Sequence, residues 1–254
     1  MHHSRLSITS GICVAILFAC ATPGFAQGKP AGAGVASQTG RTHFIKAFVI
    51  DERLSALRQE ADIHAPVLKR LRIGRAVYII SSKSSRSEFY RVAVTRRTRG
   101  WIHQGAIALP GRAGEDERVI QVIEETGDGL DRIALCQLFL ERFSRSRLQP
   151  RALLLLGEEA GRAAASLTQH ARRRLKTIDE RKNSADTEAY YLNDAGLDRY
   201  SRLRVAFRFD ALQSRYAYDG KAYRDIIRRY PQSAEAEIAR RHIEKLDSPL
   251  AKEK

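Results

Sequence analysis

The apolar period changes once along the chain, at Gly111-Arg112-Ala113-Gly114, and that change rules out a fold built from one kind of element. Before it, Phe44 to Ile50, Val77 to Ser81, Phe89 to Val94 and Gly100 to His103 are short runs rich in Val, Ile, Phe and Tyr, separated by Gly, Ser, Asp and Pro. Such runs predict strands, and five or so at close spacing predict a small β-barrel over 42–110. In Phe89-Tyr90-Arg91-Val92-Ala93-Val94-Thr95 the alternation sets Tyr90, Val92 and Val94 toward the core and Phe89, Arg91, Ala93 and Thr95 away from it. After it, apolar residues recur about every 3.6 positions, which predicts helices. The expected fold class is therefore multidomain, all-β then all-α, with an α-helical domain over 115–247 and a charged tail over 248–254.

The helical pattern breaks into segments. Val119, Ile120, Val122 and Ile123 lie on a first helix that Thr126-Gly127-Asp128-Gly129 stops, and a second runs from about Leu130 to Phe143. A third starts after Gln149-Pro150, where proline suits a first helical turn, and carries Gly157 and Gly161 four residues apart, favouring close helix approach. Arg172-Arg173-Arg174 through Asp186 reads as a frayed end or a loop, with a break at Asn183-Ser184. Helix is expected again from about Thr187 through Tyr190, Leu197, Leu203, Phe207 and Leu212, followed by the Asp219-Gly220 turn and a final pair, Ala222 to Arg229 and Ala234 to Leu246.

The first 26 residues differ from all of this. Arg5 is the only charge before Lys29, the run Gly11 to Cys20 is apolar, and small residues stand at Gly24 and Ala26. That order predicts a secretory signal cut near Ala26-Gln27; about 20 apolar residues are needed to cross a bilayer, so no transmembrane span is expected after cleavage. Leu17-Phe18-Ala19-Cys20 also resembles a bacterial lipobox, in which Cys20 would be acylated and tether the protein. Both readings place the protein outside the cytoplasm, periplasmic or extracellular in one case and membrane-anchored in the other. Residues 27–41, small and glycine-rich, read as a flexible linker.

Ala56-Leu57-Arg58, Ala65-Pro66-Val67-Leu68, Leu71, Gly74, Val77 to Ile79, Phe89-Tyr90-Arg91-Val92 and Gly100-Trp101-Ile102-His103 with Ala106-Ile107 resemble, in that order, a bacterial SH3-like domain over about 45–108. The Gly-Trp-Ile element is the most specific part; Glu60-Ala61-Asp62 departs from the family's usual Gly-Pro-Ser turn, and Phe89 stands where many members have Trp. The resemblance implies a barrel that binds peptides or glycopeptides along an aromatic groove. Trp101 admits two roles, a ring that closes the core or an aromatic contact surface. A second, weaker likeness joins Phe139-Leu140-Glu141-Arg142-Phe143-Ser144-Arg145-Ser146 to Ile226-Ile227-Arg228-Arg229-Tyr230-Pro231-Gln232-Ser233, with Ala152 and Ala239 further on. This pattern resembles the helix junctions of tetratricopeptide-like repeats, over about 128–165 and 198–246, and implies a helical scaffold for a protein partner.

Charge concentrates on the predicted barrel. Residues 41–110 hold 14 Lys plus Arg against 5 Asp plus Glu, so they carry +9 of the +14 left after removal of residues 1–26 (43 against 29). Lys69-Arg70, Arg72, Arg75, Arg86 and the run Arg96-Arg97-Thr98-Arg99 form a basic patch that attracts polyanions in a salt-sensitive way. Nucleic acid is the usual partner of such a patch, but outside the cytoplasmic membrane the polyanions are cell-wall carboxylates, phosphorylated lipids and anionic glycans. Tyr90, Arg96, Arg97, Arg99 and Trp101 are the expected ligand-binding residues, with a cell-wall or anionic envelope polymer, or a peptide, as partner and no nucleic acid.

Residues suited to catalysis are scarce. Of seven His, two stand at positions 2 and 3, and Cys136 is the only Cys after residue 26, inside an apolar run. His170 and His242 have no persuasive metal-ligand spacing, and Glu124-Glu125 and Glu158-Glu159 are adjacent pairs on different faces. Nucleophile-elbow, P-loop, H-E-x-x-H and C-x-x-C motifs are absent. No enzyme activity, metal or cofactor is expected: the reading is an exported, non-catalytic cell-envelope adaptor. The alternative is a cell-wall hydrolase, or its accessory factor, targeted by the SH3-like domain.

Overall fold

A computed structural model describes residues 44–81, 88–127, 129–178 and 189–247. The signal segment with Cys20, the linker over 27–41, Arg86, the Asn183-Ser184 break and the tail over 248–254 lie outside the described residues.

Seven short strands pair first: β1 (Ile45–Val49), β2 (Ala56–Arg58), β3 (Val67–Arg70), β4 (Ala76–Ser81), β5 (Phe89–Ala93), β6 (Arg99–His103) and β7 (Ile107–Ala108). They form one sheet in the order β3-β2-β6-β5-β4-β1-β7, with every pairing antiparallel. Ala47, Val49, Leu57, Val77, Ile79, Val92, Val94, Ile102 and Ile107 fill its inner face, with Tyr90 packed at the margin. The expected inward set of β5 thus points inward, although Phe89 on the other set is also buried, edge-on to the His103 ring at 5.5 Å.

Helices and a hairpin follow: α1 (Glu115–Glu125), α2 (Leu130–Arg142), α3 (Gln149–Ile178), α4 (Gly196–Ser201), β8 (Phe207–Asp210), β9 (Arg215–Tyr218), α5 (Lys221–Arg229) and α6 (Ala234–Asp247). A sheet region followed by a helical region is the observed order. Two details differ from expectation. Helix α3 does not fray after Leu167 but continues through Arg172-Arg173-Arg174 to Ile178. Of the helix expected from Thr187 to Leu212, residues 189–192 and α4 are helical, but strands β8 and β9 follow, so the second region is not purely helical. Phe207-Arg208-Phe209-Asp210 and Arg215-Tyr216-Ala217-Tyr218 alternate with period two, and their register sets Phe207 opposite Tyr218 and Phe209 opposite Tyr216. Aromatic cross-strand pairs of this kind stabilise a hairpin, and here they outweigh the helical spacing of Leu203, Phe207 and Leu212.

The two regions share a hydrophobic core. Phe48 and Ile50 from the first strand's other face, with Ala108, belong to the same cluster as Val119, Ile123, Ile133, Phe139 and Leu154 from the helices. Strand β1 is therefore buried on both faces, Ala47 and Val49 one way and Phe48 the other. Polar contacts fix the same junction. Glu115 accepts from the Leu109 N–H at 2.9 Å, and Arg118 bridges Glu115 at 2.8 Å and the Ile107 carbonyl at 2.6 Å. The Arg142 guanidinium lies over the Phe48 ring, 4.4 Å from its centroid.

The two similar sequence junctions have matching geometry. The Phe143 N–H donates to Phe139 O and the Tyr230 N–H to Ile226 O, both at 2.8 Å; Ser146 N–H then donates to Phe143 O at 2.9 Å and Ser233 N–H to Tyr230 O at 3.0 Å. Ala152 and Ala239, which follow at equivalent positions, are both fully buried. The helix pairs α2–α3 and α5–α6 thus share the hydrogen bonds of their turns. They pack together through Tyr223, whose ring rests on α3.

Candidate functional site

Cross-strand register assembles the sheet's outer face. Trp101 pairs with Arg58 on one side and Arg91 on the other, and Arg99 pairs with Ala93, which pairs with Tyr78, which pairs with Lys46. Residues directly opposite in an antiparallel pair share a face, with Cβ atoms about 5 Å apart. One row across the sheet is therefore Arg58–Trp101–Arg91 and the next is Arg99–Ala93–Tyr78–Lys46. Helices cover this face at β1, where Phe48 is buried. Toward β5 and β6 it is open, with Arg91 and Arg99 exposed and Trp101 half-buried. Among the described residues no Asp or Glu occupies a strand position on these two rows.

Trp101 does not close the core. Its neighbours Gly100 and Ile102 point inward instead, and Gly100 is required by the crossing of β2: a Cβ there would stand 2.6 Å from the Arg58 carbonyl oxygen and 2.8 Å from Leu57 Cγ. The close approach carries β2 alongside β6 and seats Arg58 beside the Trp101 ring. Arg58 is held in place by donating from Nη1 to the Ala65 carbonyl at 2.7 Å.

Arg96 and Arg97 are exposed in the bend that joins β5 to β6, so the strand does not continue through them. Val94 N–H donates to Thr98 O at 2.9 Å, and Thr95 Oγ1 accepts from Thr98 N–H at 3.0 Å and from Arg97 N–H at 3.3 Å. The tied bend presents both arginines at the end of the hairpin that carries Arg99 and Trp101. Tyr90 is apart from them. It pairs with Ile102 on the inner face, and its hydroxyl accepts from Arg112 Nη1 at 3.2 Å. All five expected residues therefore lie on the β5–β6 hairpin, four of them on its outer face or bend and Tyr90 on its inner face; Arg91 belongs to the same hairpin, while Arg58 joins them only through pairing.

A face of this composition holds anions by Coulomb attraction and stacks planar or apolar groups on its indole. Cys136 is fully buried in the helical core, and burial pushes its thiol up to about 12, against a smaller opposing pull from Arg132. Among the described residues no group of three or more His, Cys, Asp or Glu is placed to hold a metal ion, and no helix is long and apolar enough to cross a membrane.

No protein-family model, curated protein or solved structure matches the chain.

Proposed function

We propose that the protein is an exported, non-catalytic adaptor of the cell envelope, in which the N-terminal sheet is an SH3-like barrel that binds an anionic envelope polymer and the helical region holds a protein partner. The observation that carries this reading is the Arg58–Trp101–Arg91 row, flanked by Arg99 and the Arg96-Arg97 bend, on the open part of the sheet's outer face. The arginines and the indole of this face suit the carboxylates and sugar faces of peptidoglycan, or a similar anionic glycan. The expected attachment is electrostatic and weakens as salt shortens the screening length. Two tied elements, the Arg58–Ala65 hydrogen bond and the bend at Thr95, hold part of the cationic set in place before a ligand arrives, which limits the ordering cost of binding. The resemblance of the helix junctions to tetratricopeptide-like repeats supports the scaffold role of the second region.

Retention of the full chain on isolated peptidoglycan sacculi, at low and high salt, tests the reading. The wild type should be retained at low salt and released at high salt. Arg91→Glu with Arg99→Glu, and separately Trp101→Ala, should abolish retention while leaving circular dichroism unchanged. Equal retention of all three proteins would sink the assignment of this face.

A further inference from the structure

A second surface lies in the helical region, away from the sheet face. Between α3, strand β9 and α6 runs an open cleft of about 610 Å³. Its α3 wall extends from Gly161 through Ala165 and Thr168 to Arg172. The eleven helical rises from Gly161 to Arg172 span about 16 Å, the length of about five residues of extended chain. A compact anion would leave most of such a trough empty.

Three cations from three different elements line it: Arg172, Arg215 and Lys245. Among the described residues no Asp or Glu does so. Arg172 is pre-positioned by donating to the Gln213 carbonyl at 3.0 Å, and Arg215 stands 3.7 Å from Asp210 at the turn end of the hairpin. The other end of the cleft is aromatic, where the His242 ring stacks on Tyr223 at 4.7 Å and 2°. Gly161 adds an independent observation. It weakens the interior of a long helix, yet a Cβ built on it meets nothing within 4 Å, so no packing demand within the fold accounts for it. It leaves bare backbone on the cleft wall.

We infer that this cleft receives an extended acidic segment of a protein partner, its carboxylates meeting Arg172, Arg215 and Lys245 and its main chain lying along α3 at Gly161. The inference deepens the scaffold role proposed for the helical region and rests on it. Fluorescence anisotropy of the full chain tests it, with a fluorescein-labelled hexapeptide mixture carrying glutamate at alternate positions and aliphatic residues between. The same mixture with lysine in place of glutamate serves as control, and inorganic phosphate as competitor. The glutamate mixture should bind about tenfold more tightly than the lysine mixture. Lys245→Glu and Gly161→Leu should each weaken it about fivefold, with the thermal midpoint no lower than that of the wild type; millimolar phosphate should not displace it. Equal affinity for the two mixtures, or unchanged affinity in both variants, would overturn the inference, and displacement by phosphate would replace it with a small-anion pocket. Trp101→Ala should leave peptide affinity intact, and Gly161→Leu should leave retention on sacculi intact, so a failure at one surface is distinguishable from a failure at the other.

Discussion

The ring of Tyr223 lies on helix α3 where Gly157 has no side chain: a Cβ there would stand 2.5 Å from Cε1 and 2.7 Å from Cζ of that ring. Tyr223 is itself buried, at 3% exposure. One turn further on, Gly161 faces open space. The two glycines should therefore answer the same substitution with opposite sign. Gly157→Ala should lower unfolding stability by about 1–2 kcal/mol, since overpacking exceeds the gain in helix propensity. Gly161→Ala should raise it by about 1 kcal/mol. Urea denaturation of the two variants measures both; a stabilised Gly157→Ala would refute the close approach.

Glu159 is a second anchor of the helical region. It is 1% exposed and accepts from the Gly129 N–H at 2.6 Å, at the head of α2, and from Arg162 at 2.6 Å. Removing one partner of a buried charged set leaves the others uncompensated. Glu159→Ala should cost about 3 kcal/mol, read as a fall in the urea midpoint, whereas Glu158→Ala on the adjacent position should cost under about 1 kcal/mol.

Adjacent residues on β6 should separate stability from binding. Ile102 is fully buried and Ile102→Ala should cost about 2–5 kcal/mol. Trp101, half-buried on the outer face, should lose under about 2 kcal/mol on change to alanine despite its larger ring. Thermal unfolding of the two variants decides: a Trp101→Ala loss as large as that of Ile102→Ala would return the indole to the core.

The Cys136 thiol should be silent to disulfide reagents at pH 8 in the native protein and react on unfolding, because burial holds it protonated up to about 12. The sign of the linkage follows from the raised value. A free thiol ionises near 8.5, so the contribution is fully present below that pH and is lost as pH rises from there through the folded value. Wild-type stability should therefore fall more steeply than that of Cys136→Ala between about pH 9 and 11. Parallel slopes would contradict it.

Much of the sheet was legible in the sequence because its long strands obey a local rule. Phe44 to Ile50 and Phe89 to Val94 contain β1 and β5, Val77 to Ser81 and Gly100 to His103 miss only the first residue of β4 and β6, and the inward set of β5 followed from alternation alone. Strands β2, β3 and β7 are too short to show a period and surfaced only through a family resemblance. The hairpin β8–β9 was misread for a similar reason: its turn has no Gly or Pro, and Ser214 takes the left-handed conformation at φ 45° instead. At the candidate site, Arg99 and Trp101 share a strand and were visible together. Arg58 flanks the indole through a pairing between strands distant in sequence, a relationship that no spacing within one segment encodes, and Arg91 does so through the register of the β5–β6 hairpin. Alternation set Tyr90 toward the core, and it packs there, apart from the other four expected residues.

The two-sided burial of β1 sets the order in which this chain finishes folding. Half of that strand is satisfied by the sheet, whose residues all lie before position 110, while Phe48 and Ile50 wait for side chains as far on as Phe139 and Leu154. During synthesis the sheet emerges first with an apolar flank still wet, and only the arrival of α1, α2 and α3 covers it. Contacts of such long sequence separation slow folding, and the exposed intermediate is the species most prone to aggregate. Truncation after the sheet makes that intermediate permanent, so the chain's solubility is decided by helices that take no part in the sheet's own hydrogen bonding.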